Sequence, residues 1–538
     1  MARKKVLKGV ILACIGVVAI LAVITAADYF RGKPAAPDSL IECNPALYVS
    51  VSQIKRNKLT MALHEPYRKI LKGKAARETG LYFFQAMGVS EPEKMSGCKR
   101  RFLSKMVLGD GFSAAIFTDN QEFQDFVIVS PASLTRRAAF KITTFLPPVG
   151  RHIATLEEGG RKYRYFRAGG ARKVYFAVKK KCFIASSNID HFKATLSFAD
   201  GESIGTESLS ELKFYKKIKN ASKGNGALFF AYVSDKENFA LGKSVNAYGL
   251  SLRIKKKTVE VAMAGNKIHD AVEKSRAPFS AAHFFPADAD LVWETGNFGE
   301  AWNNLFLEAQ TTEDRLTTFF KNNFGIDYSK DFSKYFRGDI SAFVKNVSIV
   351  TDGTPVPNTT IAIGATDGAK ALAAFDSMIT GSISGQFEKQ TSDIYGTKVI
   401  WFKNKNEKAA LSPAYTMFDD VIYFSLRRED IKKILNVKNG FVASLFDVAE
   451  FKRYVGTVPK NTLLNIYAPG VKLSPLARDY LVGVVKVSQG FFTEEIQKVF
   501  LPGAENLASA EEFTGATRID GEFVITEMKI KWKKHFLK

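Results

Sequence analysis

Apolar and polar positions alternate along most of this chain, in short runs broken by turns and by a few helix-spaced stretches. Between residues 109 and 267, positions 112–118 alternate up to a turn at Asp119-Asn120, and 123–129 return as an apolar strand. Helical spacing over 134–145 stops at Pro147-Pro148. Strands are then predicted at 163–166, 174–178 and 182–186, a helix at 188–196, a strand at 228–232, and a closing pair at 248–254 and 258–264.

The same order returns between residues 338 and 532. Residues 340–350 and 359–365 read as a hairpin around Thr351-Asp352-Gly353, and Thr366-Asp367 caps a helix through Ile379. Strands at 399–402, 414–417 and 421–425 follow, with a turn at Asp419-Asp420, then a helix at 428–435, a strand at 463–467, and closing strands at 514–519 and 522–532. Gly109-Asp110 and Gly338-Asp339 open the two series, and a recurring Gly-Asp marks a tight turn. Elements repeated in one order at a nearly constant offset predict an internal duplication. The expected fold class is α+β: two tandem related repeats, each an antiparallel or mixed sheet with helices packed mainly on one face, after an N-terminal transmembrane helix. The repeats divide as 40–275 and 276–538, and the second carries a longer helical insert over 471–512. Within that insert Leu476, Tyr480, Leu481, Val484, Phe491 and Phe492 form an apolar series that either closes the second core or docks a protein.

The first residues set the compartment. A basic segment, 1–8, with Arg3, Lys4, Lys5 and Lys8, precedes an uncharged apolar run over 9–27 that Asp28 closes. Its length approaches the hydrocarbon thickness of a bilayer, and the basic flank stays cytoplasmic. The chain is therefore expected to cross the inner membrane once, with its bulk in the periplasm or outside. Cleavage after Thr25-Ala26-Ala27 is the rival reading. Residues 28–39 form a linker. Cys14 falls inside the apolar run; an oxidising compartment permits a Cys43–Cys98 disulfide, and inert thiols at Cys43, Cys98 and Cys182 fit as well.

Charge breaks the symmetry of the repeats. The net charge is +23, yet residues 40–275 hold 40 Lys and Arg against 21 Asp and Glu, while residues 276–538 hold 31 of each. The excess concentrates at Arg161, Lys162, Arg164, Arg167, Arg172, Lys173, Lys179, Lys180 and Lys181, with Lys255, Lys256 and Lys257 in a second cluster. These residues are the candidate patch for an anionic partner: a cell-wall polymer, lipid headgroups or an acidic protein. Export argues against nucleic acid.

Catalytic and cofactor patterns are absent from the sequence. Gly381-Ser382-Ile383-Ser384-Gly385 puts Ile383 where a nucleophile elbow needs serine. Ser52 with Lys55 and Ser210 with Lys213 match Ser-x-x-Lys, without the companion motifs of penicillin-binding enzymes. His64, His152, His191, His269, His283 and His535 are scattered, and no calcium-loop spacing surrounds Asp288, Asp290, Glu157-Glu158 or Asp419-Asp420. No catalytic, metal or cofactor residue is assigned.

Residues 40–51, Phe285-Pro286-Ala287-Asp288-Ala289-Asp290-Leu291, Gly325-Ile326-Asp327-Tyr328, Phe336-Arg337-Gly338-Asp339 and residues 415–425 carry a resemblance. The chain resembles a bacterial family of membrane-anchored, exported proteins, a domain of unknown function whose members look like companions of alpha-2-macroglobulin-like proteins. The resemblance implies an envelope role and no reaction. The resulting expectation is a non-enzymatic, membrane-anchored module that binds or scaffolds another envelope protein. The alternatives are a module for anionic polysaccharide acting through the basic repeat, and an envelope hydrolase.

Overall fold

The computed structural model describes residues 34–43, 45–52, 111–119, 122–133, 137, 153–158, 160–167, 173–202, 205–234, 247–255, 257–266, 279–296, 321–322, 327, 333–349, 355–383, 385–405, 411–458, 462–487 and 501–533. The expected anchor (9–27), Gly109-Asp110, Cys98 and the helix at 134–145, apart from helical Arg137, lie outside them. The chain forms two compact units. Of the described residues, 34–52, 111–217 and 229–234 belong to the first, and 218–228 and 247–533 to the second.

In the first unit β1 (Leu47–Val51) lies between β2 (Phe112–Asp119) and β8 (Phe229–Ser234), with Tyr48 opposite both Ala115 and Tyr232. Beyond β2 come β3 (Glu122–Pro131), β7 (Cys182–Ser186), β6 (Lys173–Lys179), β5 (Arg161–Arg167) and β4 (Ile153–Glu158). The order is β8-β1-β2-β3-β7-β6-β5-β4. Tyr48, Tyr215 and Tyr232 pack edge to face beside β1, and the Tyr215 hydroxyl donates to Asp38 Oδ2 at 3.1 Å, which satisfies a polar group that burial would otherwise penalise.

The second unit repeats that order. β11 (Leu291–Thr295) lies between β12 (Phe336–Ile349) and β18 (Thr462–Pro469), and β13 (Pro355–Ala365), β17 (Val421–Ser425), β16 (Ala414–Phe418), β15 (Thr397–Asn404) and β14 (Phe387–Ile394) follow. The order β18-β11-β12-β13-β17-β16-β15-β14 matches the first unit strand for strand. Past β18 the second unit adds β19 (Ala510–Asp520), β20 (Phe523–Trp532), β10 (Thr258–Asn266) and β9 (Ala247–Ile254).

Twenty strands carry the described fold, and every pairing between them is antiparallel. This corrects the expectation of α+β repeats with helices mainly on one face. The physical reason is legible in β15, β16 and β17, where successive residues are apolar towards both sides. Val399, Ala414, Val421 and Tyr423 join one buried cluster, which includes Ile431 and Ile434 of α3 (Arg428–Lys438) and Phe451 of α4 (Ala449–Val455). Ile400, Phe402, Tyr415 and Ile422 join another with Ala371 and Phe375 of α2 (Gly368–Ile383). Alternate strand residues point to opposite faces, so neither face is wet and antiparallel β-structure, rather than a helical layer, organises the unit. The expected transmembrane helix is not among the described residues, where no helix is long and apolar enough to cross a membrane.

Gly338-Asp339 is a bulge within β12 and not a turn. The register shifts between Phe336 and Ile340, Gly338 holds φ 87°, and buried Asp339 pairs with Arg337 at 3.1 Å. The helical insert is described as α5 (Gly470–Val487) and α6 (Leu501–Asn506).

Candidate functional site

A cavity of about 630 Å³ opens within the first unit, lined by Arg161, Lys162, Tyr163 and Arg164 of β5, Phe176, Ala177, Val178 and Lys179 of β6, and Phe192, Leu196 and Asp200 of α1 (Ile189–Asp200). Its origin is a forked hairpin. β5 pairs with β6 at Tyr165↔Tyr175, Phe166↔Val174 and Arg167↔Lys173, and the ladder stops there. The eight β-strand residues of the lining are the ones that would continue it. Outward from the fork, β5 stays paired with β4 and β6 with β7.

α1 forms the remaining wall. The Asn188 side chain caps its first turn by accepting from Asp190 N–H at 2.7 Å, and Gly201 ends the helix at φ 79°. Phe192, Leu196 and Asp200 stand four residues apart and so share one face. Phe192 packs edge to face on Tyr163, while Phe176 and Val178 belong to the cluster on the opposite sheet face with Phe183. The opening thus takes side chains from both faces of the sheet.

Four cations line the cavity against one carboxylate, Asp200. Most have an acidic neighbour: Arg161 with Glu202 at 3.2 Å, Lys162 with Glu157 at 3.7 Å, and Lys179 with Asp200 at 2.7 Å. The Glu202 hydrogen bond raises the Arg161 pKa. The Arg161 and Lys162 pairs are solvent-exposed and contribute little to stability, so an incoming anion can replace the carboxylates at small cost. β6 and β7 are joined by Lys180-Lys181, both in the left-handed region at φ 45° and 60°. That two-residue turn favours Asn-Gly, so lysine at both positions is a conformationally costly choice.

The second unit treats the equivalent hairpin differently. Its ladder between β15 and β16 continues through Ile400↔Tyr415 and Val399↔Thr416, two positions further towards the following turn than in the first unit. Thr416 Oγ1 donates to the Lys398 carbonyl at 2.8 Å, and Lys438 Nζ lies 3.3 Å from Thr397 Oγ1 and 4.2 Å from the Phe418 ring centre. The turn there is Asp419-Asp420, both at φ 53°. The β5–β6 ladder thus stops two positions sooner, beside a basic β6–β7 turn; its counterpart runs two positions further, beside an acidic β16–β17 turn.

The structure therefore brings Arg161, Lys162, Arg164 and Lys179 together, with Lys180 and Lys181 in the turn that joins β6 to β7. Lys173 is exposed on β6 and lies 5.2 Å from the Tyr165 ring centre. Arg167 is placed by its backbone pairing with Lys173, and Arg172 and Lys256 lie outside the described residues. Lys255 and Lys257 belong to the second unit, and Lys255 pairs with Glu260 at 3.0 Å. In the proposed docking series, Tyr480 is exposed, Leu476, Leu481 and Val484 are half-buried as α5 packs on β12, β13, β18 and β19, and Phe491 and Phe492 are outside the described residues. Sequence reasoning missed Tyr163, Phe176, Phe192 and Leu196 as cavity walls. Each looked like ordinary core, and the fork that places them at a cavity depends on non-local register.

Among the described residues no group of three or more His, Cys, Asp or Glu side chains is placed to hold a metal. His191 Nδ1 lies 2.9 Å from Glu42 Oε2, with its ring stacked on Phe117, and His283 stacks on Phe446. Asp288 and Asp290 both reach Lys345, at 2.8 and 3.6 Å. Burial pushes the Cys182 thiol up to about 11, which makes it a poor nucleophile. A second cavity, of about 330 Å³ against β19, β20 and α4, is lined by groups that neutralise one another: Arg453 with Glu512 at 3.3 Å, and Arg518 with Glu527 at 2.9 Å.

No family model matches the chain, and no curated protein matches it. Among solved structures, crystal forms III, IV and I of TP0453 share 9%, 8% and 9% identity over 45%, 43% and 45% of this chain and 82%, 80% and 81% of theirs. Their TM-scores are 0.25, 0.26 and 0.24, a likeness too slight to support any statement of fold or function.

Proposed function

We propose that this chain is a non-catalytic binding module of the cell envelope, tethered through residues 9–27, which takes an anionic ligand at the forked hairpin of its first unit. The observation that carries the reading is the cavity between β5 and β6, with Arg161, Lys162, Arg164 and Lys179 around an apolar interior. Its volume lies in the roughly 300–1,000 Å³ range of small-ligand sites. The contrast between units supports the same reading. A ladder that stops two positions sooner beside a basic turn, where its counterpart runs further beside an acidic one, supports a frame used twice and a ligand site kept once.

Binding of labelled dextran sulfate to the full chain in zwitterionic nanodiscs tests this, with neutral dextran as control. The sulfated polymer should bind, weaken as salt rises, and lose affinity in the triple variant Lys162→Gln, Arg164→Gln, Lys179→Gln. Equal binding by the triple variant, or equal binding of both polymers, would overturn the assignment.

A further inference from the structure

The anionic-ligand reading leaves unexplained why the interior of the fork is apolar. Phe176 and Phe192, on opposite faces of the sheet, are its most buried lining at 3% and 1% exposure, with half-buried Val178 and Leu196 and the Tyr163 ring among the other walls. A site for a fully hydrated anion has no use for such walls, because burying apolar surface against a charged, wet ligand yields no hydrophobic gain. The opening also runs along the strands. Its sides are two strand segments of four residues each, which at about 3.3 Å per residue gives a slot roughly 13 Å long. The cations stand along β5 and at the turn end of β6, and the most buried apolar residues stand on β6 and α1.

From this arrangement we infer that the cavity holds the alkyl chain of a single-chain anionic amphiphile, with its phosphate or carboxylate head among Arg161, Lys162 and Arg164. The inference rests on the anionic-ligand reading and adds the chain. A straight alkyl chain fills a slot between two strands without needing hydrogen-bond partners inside it. Headgroup binding exchanges the exposed Arg161–Glu202 and Lys162–Glu157 pairs for pairs with the ligand. Phosphate and carboxylate heads share this chemistry, and comparing dodecyl phosphate with dodecanoate distinguishes them.

Photolabelling of the full chain in zwitterionic nanodiscs decides the matter. The probe is dodecyl phosphate bearing a diazirine at the chain terminus, and the adducts are located by mass spectrometry. Adducts are expected on peptides spanning 173–200 and are expected to vanish in Leu196→Trp, whose ring fills the slot. On the unaltered chain, competition should strengthen from butyl to octyl to dodecyl phosphate, by about fourfold for each methylene fully buried. That series needs no variant to fold. If inorganic phosphate competes as well as dodecyl phosphate, the anionic site stands and the alkyl-chain inference is wrong. If labelling survives both Leu196→Trp and the triple Gln variant unchanged, both readings fall. Displacement by an acidic peptide but not by dodecyl phosphate would assign the opening to a polypeptide and overturn the inference.

Discussion

Lys180 and Lys181 hold a backbone conformation that costs an L-residue with a Cβ roughly 1–2 kcal/mol per position, less where a short polar side chain bonds locally. Asp419 and Asp420 meet the same demand with a residue type better suited to it. The lysines thus spend stability on charge. Replacing them by Lys180→Asn with Lys181→Gly should raise stability by about 1–2 kcal/mol in denaturant titration while weakening anion binding. A variant with unchanged stability would show that the turn is unstrained. Glu527 is a separate case, in which charge serves the fold. Burial opposes its ionisation, but Lys223 at 2.6 Å and Arg518 at 2.9 Å hold its carboxyl at about 2. A folded pKa below the unfolded one stabilises above the unfolded value and is lost as pH falls towards the folded value. Glu527→Gln should therefore cost about 3 kcal/mol at neutral pH, with the difference from the unaltered chain closing between pH ~4.5 and ~2. A pH-independent difference would contradict the assignment.

Elements differ in how plainly the sequence announces them. β7 and β17 were legible to the residue, because Cys182–Ser186 and Val421–Ser425 are uninterrupted apolar runs beside clear turns. β4 and β14 escaped notice, and both are outermost in the strand order. A terminal strand has one neighbour and needs few apolar positions, and Phe387–Ile394 has no fully buried residue and is apolar only at its two ends. β1 and β11 were missed for another reason: five-residue strands that pair with partners far along the chain leave no local hairpin signal. The repeated Gly-Asp was read as a turn because a glycine with positive φ serves turns and bulges alike. In β12 it is a bulge, and a Cβ added at Gly364 of β13 would collide with the Asp339 carboxylate. Gly364→Ala should break the Arg337–Asp339 pair and cost about 1–3 kcal/mol, read as a shifted denaturation midpoint. An unshifted midpoint would mean that the bulge relaxes freely.

At the scale of the molecule, the repeated strand order supports one frame written twice, and the unequal charge counts acquire a location. The basic excess of the first half was visible from composition, and its concentration between 161 and 181 was visible from the run itself. The cavity was not, since it arises where the β5–β6 ladder stops while β5 stays paired with β4 and β6 with β7, a non-local register. Helix-face coverage escapes the sequence for a related reason: alternate positions of β15, β16 and β17 are apolar towards both sides, and periodicity alone does not say how many faces helices cover.

Hydrogen–deuterium exchange of the full chain, with and without dodecyl phosphate, bears most directly on the claim that the first unit's forked hairpin is the ligand site. Slowed exchange is expected over 161–164, 176–179 and 192–200, with 397–400 and 415–418 of the counterpart in the second unit unchanged. Protection confined to the second hairpin, or no change at the first under conditions where the ligand binds, would contradict the account.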